Sequence, residues 1–210
     1  MIEMILFDFD GTIADTLPAA LKIANRHLNQ IGHNPISKEQ LKELRNMTPF
    51  QILRQFTVPV WRLPGLIKKI QNDLLKEVDH IKLFPGIEKA LYDLIFARYH
   101  LGILTSNKKE TVDTFLRKHR ITFFEFIQCE PNIFEKPRLI KHFLKKHQLK
   151  PSEVIYIGDE IRDIEACREN GVEIISVTWG FNDENSLKQN KPNYIAKTPQ
   201  ELVTILQKIV

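Results

Sequence analysis

The chain has 210 residues, 43% of them hydrophobic and 27% charged, with a formal charge of +4, enough apolar material for one large domain or two small ones with a proper core. The basic residues fall in surface-type pairs such as Lys68-Lys69 and Lys145-Lys146, which speaks against a nucleic-acid groove and for small anionic partners. No apolar run approaches the roughly 18 residues of a membrane span, and the N-terminus is expected to enter a strand directly, without a secretory signal.

An apolar run from Met4 to Leu6 leads into Phe7-Asp8-Phe9-Asp10-Gly11-Thr12. A short apolar run closed by glycine predicts a strand buried in a parallel sheet, with Asp8 and Asp10 at its carboxyl end, where such sheets carry ligands. Alternation would turn both carboxylates into one small volume, where they repel unless a hard divalent cation such as Mg²⁺ lies between them. A solvated Asp-Gly turn is the plain alternative.

Leu17, Ala20, Leu21, Ala24, Leu28 and Ile31 then recur at helical spacing until Gly32. Ser37 with Gln40, and Thr48-Pro49 with Gln51, form capping-box starts of further helices, and another is predicted from about Pro64 to Val78. No alternating β-branched run lies between Thr16 and His80, which predicts an all-helical insertion over residues 16–82, placed to overhang the two aspartates. Trp61, Phe50 and Phe56 are expected in its core.

Strands and helices then alternate. Strands are predicted at His100–Leu104, Phe126–Cys129, Val154–Ile157 and Glu173–Val177. Helices are predicted after Gly86, around Val112–Leu116, from Lys136-Pro137, over Arg162–Asn170 and after the capping box Thr198-Pro199-Gln200-Glu201. The fold class expected is α/β, a Rossmann-like parallel, doubly wound sheet in a three-layer sandwich, with residues 1–15 and 83–210 as core and the small helical domain inserted after the first strand. Cys129 and Cys167 lie outside any metal-type spacing and are expected as reduced thiols of a cytoplasmic protein.

Four strand ends carry polar residues: Asp8 and Asp10 at the first, Thr105-Ser106-Asn107 at the second, Lys136 after the third, and Gly158-Asp159 with Asp163 at the fourth. In a parallel sheet all four meet at one edge. The order and spacing of these motifs resemble the haloacid dehalogenase superfamily, over the whole chain, and within it the phosphatase branch with a helical cap that includes the phosphoglycolate phosphatase-like group.

The resemblance implies an Mg²⁺-dependent phosphatase in which Asp8 attacks phosphorus to form an aspartyl-phosphate and Asp10 moves protons. It further implies that Thr105 and Ser106 bind phosphoryl oxygens and that Lys136 neutralises charge there. Asp8, Asp159 and the carbonyl of Asp10 would hold the metal. Asp163 would support the ion or fix Lys136, and Glu160 would be solvated or in a supporting place. Dehalogenases lack the second aspartate, because a halide needs no proton on leaving, so Asp10 argues for an alkoxide leaving group.

A phosphosugar mutase shares the four motifs and stands as the alternative, with a non-catalytic regulator further off. Ten Lys/Arg against five Asp/Glu between Thr16 and His80 make the insertion basic, which suits a small anionic phosphorylated metabolite. Phosphoglycolate is the first choice, and Arg45 is the candidate contact to its non-phosphoryl end. Trp179-Gly180 is expected on the pocket wall, hinges are expected near Ala14-Asp15-Thr16 and Lys82-Leu83-Phe84, and the oligomeric state stands open between monomer and homodimer.

Overall fold

The computed structural model describes residues 2–30, 32–55, 63–130 and 135–209. Chain order begins with β1 (Met4–Phe7) and β2 (Ala14–Asp15), followed by four helices: α1 (Leu17–Gln30), α2 (Lys38–Leu44), α3 (Pro49–Gln55) and α4 (Leu63–Glu77). The strand β3 (Lys82–Leu83) pairs antiparallel with β2, so the two points where the chain enters and leaves the helical insertion are bonded to each other. After it come α5 (Ile87–Phe96), β4 (His100–Thr105), α6 (Lys109–Lys118), β5 (Phe126–Cys129), α7 (Lys136–His147), β6 (Val154–Gly158), α8 (Ile161–Asn170) and β7 (Glu173–Val177). The chain closes with α9 (Glu184–Gln189), β8 (Tyr194–Ala196) and α10 (Pro199–Ile209).

Among the described residues six strands form one sheet in the order β5-β4-β1-β6-β7-β8, every neighbouring pair parallel. Strand alternation divides the core in two. Ile5 and Phe7 of β1, Leu101 and Ile103 of β4, and Ile155 and Ile157 of β6 face α5, α6 and α10, while Met4, Leu6, Leu104, Val154 and Tyr156 face α7 and α8. Helices therefore cover both faces, as a fully buried parallel sheet requires. The first cluster also takes in Ile23 of α1 and Leu74 of α4, so the insertion shares its apolar interior with the sheet.

Register explains why the strand ends meet. Phe7 lies opposite Ile103 on one side and Ile157 on the other, and the amide of Asp8 continues the ladder to the Ile157 carbonyl at 2.8 Å. The residues just past these three positions consequently stand at one level.

Several details differ from the sequence expectations. Helix α9 and strand β8 are absent from them, since a six-residue helix and a three-residue strand are too short to show a period. Phe50 is 46% exposed, not in the core. It sits two positions, and so about 200° around the helix, from Ile52, which faces inward. Phe56 and Trp61 lie outside the described residues, as does Ile31. Among the described residues no helix is long and apolar enough to cross a membrane.

The loop that carries the first motif rests on aromatic packing, with Phe9 meeting Phe115 of α6 edge to face at 5.0 Å between centroids and both rings fully buried. Phe115→Ala is expected to cost about 3–5 kcal/mol of stability, measured by urea unfolding, as a large cavity under a packed ring should.

Candidate active site

The four strand ends enclose a cluster of buried charge. Lys136, the first residue of α7, is 1% exposed, and its ammonium lies 2.5 Å from Oδ2 of Asp8 and also touches Oδ1 of Asp163. The Asp163 contact is one of charge and not an aligned hydrogen bond. Burial works against the charged ammonium, yet Asp163 and Asp8 together hold its pKa above the ordinary lysine value. The same ammonium lies 5.3 Å from the centre of the Tyr156 ring, whose hydroxyl donates to the Leu104 carbonyl.

The remaining oxygens of the cluster are also taken up. Asp8 Oδ1 accepts from the Phe9 amide, and Asp163 Oδ2 accepts from the amides of Asp159 and Glu160 at 3.1 and 3.0 Å. Asp159, fully buried, accepts at one oxygen from the Thr12 hydroxyl at 2.8 Å and at the other from the Phe181 amide at 2.7 Å. Burial first, then Glu160, Asp163 and Asp8, push the Asp159 carboxyl well above its ordinary value. Asp8, Asp159 and Asp163 each present an oxygen within 4.8 Å of the others. Three close carboxylates with one ammonium between them form an oxygen donor set that fits a hard divalent cation.

Space for this crowding comes from glycine. A Cβ on Gly11, where φ is +77°, or on Gly180 would overlap the Asp159 carboxylate, and one on Gly158 would overlap that of Asp163. Only a residue without a side chain lets the backbone pass so near these acids.

Asp10 belongs to a separate place. The chain leaves β1 at Phe7, so strand alternation no longer applies two residues later, and the Asp10 side chain stands apart from the three-acid cluster. Both its oxygens accept from Asn107 Nδ2 at 3.0 Å. Burial, and after it the charge of Asp8, push its carboxyl up to about 7, against the lowering pull of Asn107, Thr16 and Arg162. A partly buried acid in that range, open to the adjoining cavity, can give and accept a proton near neutrality.

At the second strand end, Thr105 Oγ1 accepts from the Asn107 amide at 3.0 Å, so its own proton stays available to donate. Ser106 Oγ accepts from Arg162 at 3.0 Å, and the Ser106 carbonyl accepts from Gln71 of the insertion at 3.0 Å. Glu160 is buried instead of solvated, because it grips Arg162 through two bonds of 2.6 and 2.9 Å. Trp179 donates to the Thr12 carbonyl at 3.1 Å, and it is Phe181 that lines the cavity beside Asp10.

Arg45 does not reach that cavity. Its guanidinium donates to the carbonyls of Phe181 and Gly180 at 2.8 and 3.0 Å, while Asn182 returns bonds to the carbonyls of Arg45 and Met47. Asn182 also accepts from the Ile161 amide at 2.8 Å. The end of α2 is thus fastened to the loop after β7, which itself holds Asp159. Sequence reasoning missed Asn107, Arg162 and Asn182 as working parts. Asn107 was within the quoted motif, but nothing local tells that a strand-end amide will reach a carboxylate 97 positions earlier.

Lys136→Ala would leave Asp8 and Asp163 buried without their cation. In metal-free buffer near neutral pH it is expected to cost about 3–5 kcal/mol by urea unfolding. The loss should shrink as pH falls and the orphaned carboxylates take up protons. Equal stability of variant and parent would contradict the charge balance described.

Comparison with known proteins identifies the family of the chain. The model of the haloacid dehalogenase-like hydrolases matches residues 5–177. A phosphoglycolate phosphatase of Synechococcus elongatus is 33% identical over 210 residues, covering 100% of this chain and 99% of that protein, and one of Vibrio parahaemolyticus is 24% identical over 98% and 96%. Among solved structures, a haloacid dehalogenase-like family hydrolase from Streptococcus pneumoniae superposes with a TM-score of 0.82 at 27% identity, covering 98% and 99% of the two chains. With one family matched across most of its length and a relative aligned end to end, the chain belongs to the haloacid dehalogenase-like hydrolases.

Proposed function

We propose that this chain is a Mg²⁺-dependent phosphatase that hydrolyses a small phosphomonoester through an aspartyl-phosphate on Asp8. The observation that carries the reading is the division of labour between two aspartates two residues apart. Asp8 is held in the acid cluster against Lys136, while Asp10 faces the adjoining cavity in the grip of Asn107. The phosphatase names of the relatives support it, and phosphoglycolate is the first ester to try.

Asp8, Asp159 and the Asp10 carbonyl would hold the ion, with Asp163 behind them fixing Lys136. When bound, Mg²⁺ supplies positive charge to the phosphoryl oxygens. An Asp8 oxygen attacks phosphorus as the bond to the leaving oxygen breaks, and Asp10 gives that oxygen its proton. Asp10 then takes a proton from water, whose oxygen attacks phosphorus and returns Asp8 as a free carboxylate with release of phosphate. Lys136 balances the charge that builds on the phosphoryl group, and the Thr105 hydroxyl and Ser106 amide donate to its oxygens.

Asp8→Asn and Asp159→Asn are each expected to abolish phosphate release from an aryl phosphate, as is excess chelator. Asp10→Asn should lower the rate by about 10²–10⁴ with Mg²⁺ binding retained in calorimetry. Full activity of the Asp8 or Asp159 variant would overturn the reading.

The insertion would act as a cap that opens about the β2-β3 pair to exchange ligands. Asn46 meets Ser186 across the cap and core. Asn46→Cys with Ser186→Cys, bridged by a short bis-maleimide in a Cys129→Ser background, is expected to stop turnover, and unchanged turnover would contradict opening.

A further inference from the structure

Hydrolysis of a phosphate ester does not dictate the walls beyond Asp10, yet those walls have a definite chemistry. A cavity of about 340 Å³ separates the insertion from the sheet edge, with Asp10, Gly11, Ser106 and Asn107 on its floor. Its volume lies at the lower end of the range of small-molecule sites, roughly 300–1,000 Å³. The insertion side is aliphatic, built chiefly from Ala20 and Ala24 of α1, Ile52 and Leu53 of α3, and Ile67 and Ile70 of α4.

Among the described residues, no Lys or Arg of the insertion lines this cavity. Described basic side chains of the insertion are engaged elsewhere. Lys22 and Arg26, for example, pair with Glu77 and are 60% and 43% exposed. Gln71, on the cavity wall, donates to the Ser106 carbonyl. The cation on the floor is Arg162, and Glu160 and Ser106 already bind its guanidinium. Glu160 and Arg162 offset each other, and Asp10 is protonated when it acts as the acid, so the floor carries no net positive charge.

If Asp10 protonates the leaving oxygen, as proposed above, the rest of the leaving group must extend past Asp10 into this space. A carboxylate there would lose its water among aliphatic side chains. We infer that the preferred esters carry an apolar leaving group, an alkyl or aryl alcohol, and that 2-phosphoglycolate is a poor substrate. This inference rests on the phosphatase reading and adds the class of its leaving group.

The test is a comparison of kcat/KM for 2-phosphoglycolate and for n-alkyl phosphates from ethyl to hexyl, with saturating Mg²⁺. Efficiency is expected to rise about fourfold per added methylene until the cavity is full. Hexyl phosphate should therefore far outpace phosphoglycolate. Leu53→Lys, which puts an ammonium on the wall, should move the ratio of the two esters toward phosphoglycolate by roughly tenfold, the worth of one ionic contact. Independently of turnover, hexylphosphonate should bind the parent protein more tightly than phosphonoacetate in calorimetry. Rates flat with chain length, phosphoglycolate ahead of hexyl phosphate, or the reverse order of phosphonate binding would overturn the inference and leave the phosphatase reading intact. Failure to release phosphate from any of the esters would overturn the phosphatase reading and this inference with it.

Discussion

One ammonium group, that of Lys136, makes the rest of the sheet edge possible. It stands almost wholly buried between Asp8 and Asp163, with Asp159 and Glu160 beyond them. Carboxylates this close in a medium of low polarity repel strongly, and a lysine at the head of α7 is the cation the fold itself contributes. A buried ion pair rarely gives more stability than well-packed apolar side chains of the same volume. Its presence fits the proposed chemistry, as a fixed charge facing the carboxylate proposed to attack phosphorus.

The insertion is tied to this cluster through the backbone of one residue, Phe181. The amide of Phe181 donates to Asp159, and its carbonyl accepts from Arg45 at the end of α2. A displacement of the insertion would therefore be felt at Asp159 without passing through the substrate. The Ser106 carbonyl, held by Gln71 of α4, provides a second crossing at the neighbouring strand end. The cavity and the acid cluster thus share their supports, while the cavity's aliphatic wall belongs to the insertion.

Much of the sheet was legible because most of its strands are compact, chiefly apolar runs. The runs at Met4, His100, Phe126, Val154 and Glu173 all proved to be strands. Lys136 could be placed from its position at a helix start after the third of them. Short elements such as α9 and β8 left no such mark. Phe50 was misjudged because helix amphipathicity in α3 spans only seven residues, too few to say which face turns inward.

By itself, the sequence determined which residues stand at the strand ends, because hydrophobic runs and breakers are local and strand register brings their ends level. It also determined that two aspartates would share one edge. Only the tertiary structure decided that they part, one to Lys136 and one to Asn107, since each partner comes from about a hundred residues or more along the chain. The character of the cavity beside Asp10 was decided there too. A count of charges cannot tell which side chains a helix turns toward solvent, and in this insertion Lys22 and Arg26 face outward while aliphatic side chains line the cavity beside Asp10.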